Sequence, residues 1–284
     1  MRDEEVPEVI ESTPPSSEED VKQELLKNEE WQRARQHTRF LLAVMSAIPW
    51  IGSFLAASAA LSAEKEQGRI NALHQNWLQE HGRKLESLGS TMQEMFERLH
   101  GLEEQVGERL EDDSYLALVR QGFHAWDQAE TEEKRELVKN LLTNAAATNL
   151  CDDDVLRLFL DWIDSYHEAH FKVIQAIYHE PGISRFEMWM DMYGEMVRED
   201  SAEADLFKLL IRDLSTGSVI RQFRDKDGDG RWLKRRRPRH STGRTMVSAF
   251  DHKQPYVLTQ LGEQFVRYAM TDVIPRLGSG EPSS

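Results

Sequence analysis

The chain has 284 residues, enough for one large domain or two ordinary ones, and its 39% hydrophobic and 30% charged residues exclude a wholly disordered polypeptide. A formal net charge of −15 opposes generic binding of DNA or anionic lipid over the whole surface. Cys151 is the only cysteine, which excludes an intramolecular disulfide and fits a reducing compartment.

The charge is unevenly spread. Between Arg221 and Arg244 there are ten Lys/Arg against three Asp, a local balance of +7, so the remainder carries −22. Any polyanion has to meet this one segment.

Residues 1–20 are acidic and rich in Pro and Ser, the reverse of a signal peptide, and are expected to form a disordered tail. A charged helical stretch from Val21 to Arg39 leads into Phe40–Ala63, 24 residues without a charge. As one helix it would be roughly 36 Å long, enough to cross a bilayer. Its apolar residues are diluted by Ala, Ser, Gly52 and Pro49, however, and Pro49 predicts a kink or turn. Three readings stay open for 21–63: a permanent span, a buried helical hairpin, and conditional insertion. Trp50, Gly52, Ala56 and Ala60 are the candidate membrane residues. The stripe of Gly52, Ala56 and Ala60 would let a second helix approach closely in any of the three.

Leu78, His81, Leu85, Leu88, Met92, Met95, Leu99, Leu102 and Val106 alternate steps of three and four, with Glu, Gln and Arg between them. This predicts a coiled-coil-like helix over 64–112 and makes Leu85, Leu88, Met92, Met95, Leu99 and Leu102 the candidate oligomerisation residues. His74 and His81 read as packing residues of the same seam. A helical domain is expected over 113–165. Within it Thr131 precedes an acidic first turn, and Asp152, Asp153 and Asp154 stand where a helix start favours negative charge; they read as capping residues before they read as a metal site.

Residues 166–275 predict a winged-helix-like α+β module, and 276–284 a second disordered tail. The helix HEAHFKVIQAIY ends at Pro181-Gly182, and a second helix spans about Arg185–Val197. A third covers Ser201–Thr216. Ser218–Arg224 alternates as a strand, a basic wing follows, and PYVL at Pro255–Leu258 returns before a closing helix. The wing residues Lys234, Arg235, Arg236, Arg237, Arg239 and Arg244 are the candidate contacts to nucleic acid or to an acidic protein surface, the chain's own N-terminal tail included. A solvated basic loop is the bland alternative. Against DNA, the third helix carries Glu203, Asp205 and Asp213 beside only Lys208 and Arg212.

Asp225-Lys-Asp-Gly-Asp-Gly230 starts like a calcium-binding EF-hand loop, but the twelfth position holds Arg236 where a bidentate Glu belongs, so a solvated hairpin tip fits better. His167 and His170 are three apart, one short of the zinc-protease spacing. P-loop, GxGxxG, GxSxG and CxxC motifs are missing, and Cys151 reads as a buried structural thiol. The sequence points to no enzyme, no cofactor and no metal.

Three features together resemble the uncharacterised bacterial Abi-alpha, abortive-infection-like proteins over roughly 40–270. They are the apolar Ile48-Pro49-x-x-Gly52 segment, Glu133-Lys134-Arg135 leading into Leu141-Leu142-x-Asn144-Ala145, and Tyr256-x-Leu258-Thr259-x-Leu261-Gly262-x-x-Phe265. The resemblance implies a role of the antiphage-defence kind and brings no catalytic residues. The resulting expectation is a mainly α protein: a helical and coiled-coil N-terminal half, homo-oligomerising and membrane-active, joined to a winged-helix module for sensing or recruitment. It would be cytoplasmic, or associated with the inner membrane if Phe40–Ala63 inserts. The runner-up is a cytosolic winged-helix DNA-binding regulator whose apolar segment belongs to its core or dimer interface.

Overall fold

A computed structural model describes residues 38–64, 72–100, 102–148, 150–224, 248–252 and 254–270. Among them the chain is mainly helical, with eleven helices and one two-stranded antiparallel sheet. It divides into two compact units, residues 1–124 and 125–284.

In the first unit, α1 (Thr38–Ala47) and α2 (Pro49–Glu64) take the place of one long apolar helix. Pro49 occupies the first position of α2, where its missing N–H has no intrahelical role, and the amide of Ile51 donates to the Ile48 carbonyl at 3.3 Å. At ~1.5 Å per residue the two helices are about 15 and 24 Å long, short of the ~30 Å hydrocarbon core of a bilayer. No helix among the described residues is long and apolar enough to cross a membrane.

Phe40, Ala43, Val44, Ile48, Ile51 and Phe54 from this apolar segment are all buried. Phe40 is the hub, 5.5 Å from the Phe96 ring and 6.3 Å from both Tyr115 and Phe123. Arg39, beside it, donates to the Glu111 carbonyl at 2.7 Å and pairs with Asp113.

The heptad residues up to Leu99 fall on α3 (Ala72–Leu99) and Val106 on α4 (Glu103–Leu110), with Leu102 at the cap before α4, so the single helix expected over 64–112 is divided between Leu99 and Glu103. Gly101, the poorest non-proline helix former, stands next to that break in sequence. His81 packs at 4.1 Å against Trp77 and 5.0 Å against Trp50, and a ring nitrogen lies 2.8 Å from the Trp77 carbonyl, as a packing role requires. The boundary between the units falls inside α5 (Asp113–Gln128).

The second unit begins with α6 (Glu132–Ala147) and α7 (Asp153–Ser165). Thr131 caps α6, accepting from the Lys134 amide. Asp153 and Asp154 occupy the first turn of α7, where the helix dipole favours them. Then come α8 (Glu168–His179), α9 (Arg185–Tyr193), α10 (Ala202–Thr216), β1 (Ile220–Gln222), β2 (Tyr256–Leu258) and α11 (Gln260–Phe265), which runs on through a π-type turn at Val266–Met270. Ser184, Ser201 and Thr259 cap α9, α10 and α11 through their hydroxyls, each contributing about 1 kcal/mol. The α9 helix stops at Tyr193 instead of the expected Val197, because Gly194 closes it in the left-handed conformation with φ 75°.

β1 and β2 pair with Ile220 opposite Leu258 and Gln222 opposite Tyr256. A bridge between Ser184 and Pro255 brings the chain just before α9 onto the other side of β2. There Gly182 donates to the Tyr256 carbonyl at 2.8 Å and Tyr256 returns a bond to Ile183 at 3.0 Å.

Phe265 anchors the core, 5.5 Å from Phe159, 5.6 Å from Trp162 and 6.2 Å from Phe171. The π-type turn leaves carbonyls to be satisfied elsewhere, and two asparagines of α6 supply the donors. Asn144 reaches the Tyr268 carbonyl at 2.8 Å and Asn140 reaches that of Ala269 at 3.2 Å.

Candidate nucleic-acid interface

A groove of about 700 Å³ opens between α10, β1 and the start of α9. Four arginines line it, Arg185, Arg212, Arg221 and Arg224, together with the hydroxyl-bearing Ser215 and Thr216 and the amide of Gln222. Among the described residues that line it there is no Asp or Glu. In a chain of net charge −15 this is a local inversion of sign.

Each arginine is positioned by local structure. Arg185 is the first residue of α9, whose start is fixed by a reciprocal cap: Glu187 accepts from the Ser184 amide at 2.8 Å and donates its own amide to the Ser184 hydroxyl at 3.3 Å. The same hydroxyl and amide hold the Glu187 carboxyl below the usual range. The Arg185 guanidinium donates to the Tyr256 hydroxyl at 2.9 Å and to the Ser248 carbonyl at 3.3 Å, so it is already oriented. Arg212 lies on α10, 72% exposed, with Asp213 at 3.6 Å as its nearest carboxylate. Arg221 and Arg224 leave β1, whose path is set by the tight reversal after α10. In that reversal Ser218 takes φ 58°, and its carbonyl accepts from Thr259 at 2.6 Å.

The chain that follows the basic stretch in sequence is tied down at Ser248 and Ala249. Glu199 accepts from the Ser248 hydroxyl and, at 3.0 Å, from the Ala249 amide, which lowers its carboxyl below the usual range. Phe250 then buries against Trp189 at 5.0 Å.

The wing residues Lys234, Arg235, Arg236, Arg237, Arg239 and Arg244, and the Asp225–Gly230 stretch, lie outside the described residues. Among the described residues no group of three His, Cys, Asp or Glu could hold a metal. The candidate oligomerisation residues Leu88, Met92, Met95 and Leu99 are buried by this chain alone, and Leu85 and Leu102 are half-buried. Of the membrane candidates, Trp50 is half-buried, Gly52 and Ala56 are exposed, and Ala60 lies in α2.

His167 and His170 form no metal pair: His170 accepts from the His167 amide at 3.1 Å and is buried, with Nε2 lacking a hydrogen-bond partner and 3.9 Å from Asp213. Burial pushes its pKa down. Cys151 is buried as expected, and burial raises its thiol pKa, which makes it a poor nucleophile.

The sequence motifs resembling Abi-alpha proteins have structural roles in this chain. Gly262 lets α11 pass the Val219 carbonyl so closely that a Cβ would stand 2.2 Å from its oxygen. Asn144 ties α6 to the final turn, and Phe265 fills the core. Sequence reading missed Arg185 altogether and counted Arg221 and Arg224 only within the basic run. The available signal was strand alternation in Ile220-Arg-Gln222, which turns Arg221 away from the face on which Ile220 is buried; Arg224 lies beyond the strand and had no such signal. No protein-family model, no curated protein and no solved structure matches this chain.

Proposed function

We propose that residues 166–275 form a winged-helix module that binds nucleic acid through the arginine-lined groove, and that the protein acts by binding instead of catalysis. The groove carries the reading: four arginines line it, with no carboxylate among its described lining residues. Such a surface suits phosphate, since guanidinium groups give charge-assisted, bidentate hydrogen bonds to it. The order of three helices, strand, basic stretch and returning strand supports the winged-helix assignment, as does the single bridge from Ser184 to Pro255 beside β2. The basic wing would extend the same positive surface.

The test is direct titration of labelled single-stranded and duplex nucleic acid with the full chain at about 0.15 M salt, where exposed charges are substantially screened. Changing Arg221 and Arg224 to Gln should weaken binding about tenfold or more and flatten the log–log salt slope by up to about 0.9 for each phosphate no longer neutralised. No binding by the intact protein refutes the reading. The Abi-alpha resemblance gives this activity an antiphage setting, to be checked by phage plating on bacteria with and without the protein.

A second reading, the homo-oligomerising and membrane-active effector, draws support from one observation. Gly52 and Ala56 lie exposed on α2, and a Cβ at Gly52 would meet nothing within 4 Å. Such a small-residue face accepts a second helix at close range. Retention in carbonate-washed membranes, abolished by Ala56→Arg, would support it; protein found wholly in the cytosolic fraction would remove it.

A further inference from the structure

We infer that the nucleic acid this module takes is single-stranded, with its phosphates on the arginine groove and a base docked beside Tyr178 and Phe223 in an adjoining cavity. The inference rests on the reading of the groove as a nucleic-acid site and adds to it the class of strand.

A second cavity of about 590 Å³ is also lined by Arg221 and Arg224, so the two spaces meet at these side chains of and beyond β1. Its character is different. Ile177, Val257 and Leu258 give it an apolar lining, and Tyr178 and Phe223 stand at it with 40% and 49% of their surface exposed. Large rings left half in water beside arginines make a stacking platform, since every base has a π-face and its phosphates need cations at short range. The volume lies within the ~300–1,000 Å³ of ordinary small-ligand pockets, ample for one nucleoside.

Glu263 and Arg267 complete the cavity. A carboxylate there repels phosphate but accepts hydrogen bonds from the N–H groups of a base. The two spaces are thereby divided in chemistry: phosphate on the carboxylate-free side, base on the apolar side.

The outer face of α10 argues against the duplex alternative. A helix that reads the major groove presents hydrogen-bonding side chains to base edges and tolerates phosphate on both flanks. This helix instead exposes Glu203 and Asp205 in its first turn, and its outward Leu206 and Leu209 are 48% and 38% exposed. Two carboxylates would face the phosphate rails, and two leucines would meet the polar base edges. A single strand crossing β1 needs none of that face.

The test uses the full chain and three fluorescein-labelled probes of one mixed sequence about 15 nucleotides long: single-stranded DNA, single-stranded RNA, and the DNA duplex. Unlabelled inorganic polyphosphate serves as competitor. Tyr178 and Phe223 are changed to Ala together, with circular dichroism to verify folding. At least one single strand should bind about tenfold or more tightly than the duplex. The double variant should weaken on the order of tenfold per ring for that strand, while the polyphosphate inhibition constant stays within about twofold. A duplex that binds as tightly as the better-bound strand, or a weakening shared equally by strand, duplex and polyphosphate, overturns the inference but leaves the arginine groove standing. If no probe binds the intact protein, the groove reading fails first and this one with it.

Discussion

Gly262→Ala tests how closely α11 and β1 are fitted. The new Cβ would lie 2.2 Å from the Val219 carbonyl oxygen, 3.2 Å from its carbon and 3.4 Å from Val219 Cγ1. The obstruction is backbone, so no side-chain rotation relieves it, and the strand and helix must separate by about 1 Å to restore ordinary van der Waals spacing. That separation also strains the 2.9 Å bond from the Thr259 amide to the same carbonyl. Overpacking of this kind costs about 1–3 kcal/mol, and a weakened hydrogen bond adds about 1 kcal/mol. Against this, Ala in a helix gains up to ~1 kcal/mol over Gly. The net expectation is a destabilisation of about 1–3 kcal/mol, or a fall in Tm of roughly 3–10 °C for a unit of this size. Thermal unfolding followed by circular dichroism reads it directly. Gly52→Ala is the control of opposite sign: nothing lies within 4 Å of its Cβ position and the site is exposed, so Tm should hold or rise. A Gly262→Ala protein as stable as the parent would refute the close-approach argument.

Three further outcomes are expected. Burial holds His170 below its ordinary pKa, opposed by the hydrogen bond from the His167 amide and by Asp213, so on acidification the unfolded chain takes up this proton first. Stability is therefore greatest above about pH 6.5 and declines as pH falls below it; urea midpoints at pH 7.5 and 5.5 should differ less in His170→Gln than in the parent, and equal differences would exclude His170 as a cause. Leu99→Glu places a charge where the parent side chain is 5% exposed and packed by its own chain, so it should lower stability by several kcal/mol in denaturant titration. A stable variant with only a reduced mass by light scattering would instead give the seam to a partner copy. On the proposed function, changing Arg235, Arg236 and Arg237 to Gln should weaken nucleic-acid binding and flatten its salt dependence, with Tm by circular dichroism held within about 1 °C of the parent.

Much of the architecture was legible because its signals are local. Thr131 announces a helix start by its chemistry, and its hydroxyl accepts the expected amide; Ser201 and Thr259, read only as helix starts, turn out to cap in the same way. Pro49 broke the apolar run where proline geometry requires it. The seam from Leu88 to Leu99 was legible as a face but not as an interface. A three-four repeat says which side of a helix is apolar; whether that side is covered by Phe40 and its neighbours or by another molecule depends on the fold. The arginine groove was illegible for the same reason. Arg185, Arg212 and Arg221 come from a helix start, a helix middle and a strand, and only the sheet that draws Ser184 and β1 to either side of β2 brings them to one groove. Asn144 gave no signal at all, since its partner exists only because the final helix loosens into a π-type turn.

The distribution of charge bears on how such a groove could be selective. With a formal charge of −22 outside Arg221–Arg244, the surface as a whole repels a polyanion, and attraction is confined to where arginines concentrate. The effect is strongest at long range, where net charge dominates, and weakest close in, where Arg185, Arg212, Arg221 and Arg224 are the near charges. On the proposed function, association would be slow for a strand that arrives elsewhere, and non-specific sliding would have little surface to use. Affinity would then come from short-range interactions: guanidinium to phosphate in one space, ring to base in the other. A binder built this way should respond to salt in two opposed ways, as screening weakens both the general repulsion and the local attraction. Its net salt slope would be shallower than the number of phosphates it neutralises implies. A short strand that covers only the groove should show the steeper dependence, because it spends less of its length against the acidic remainder.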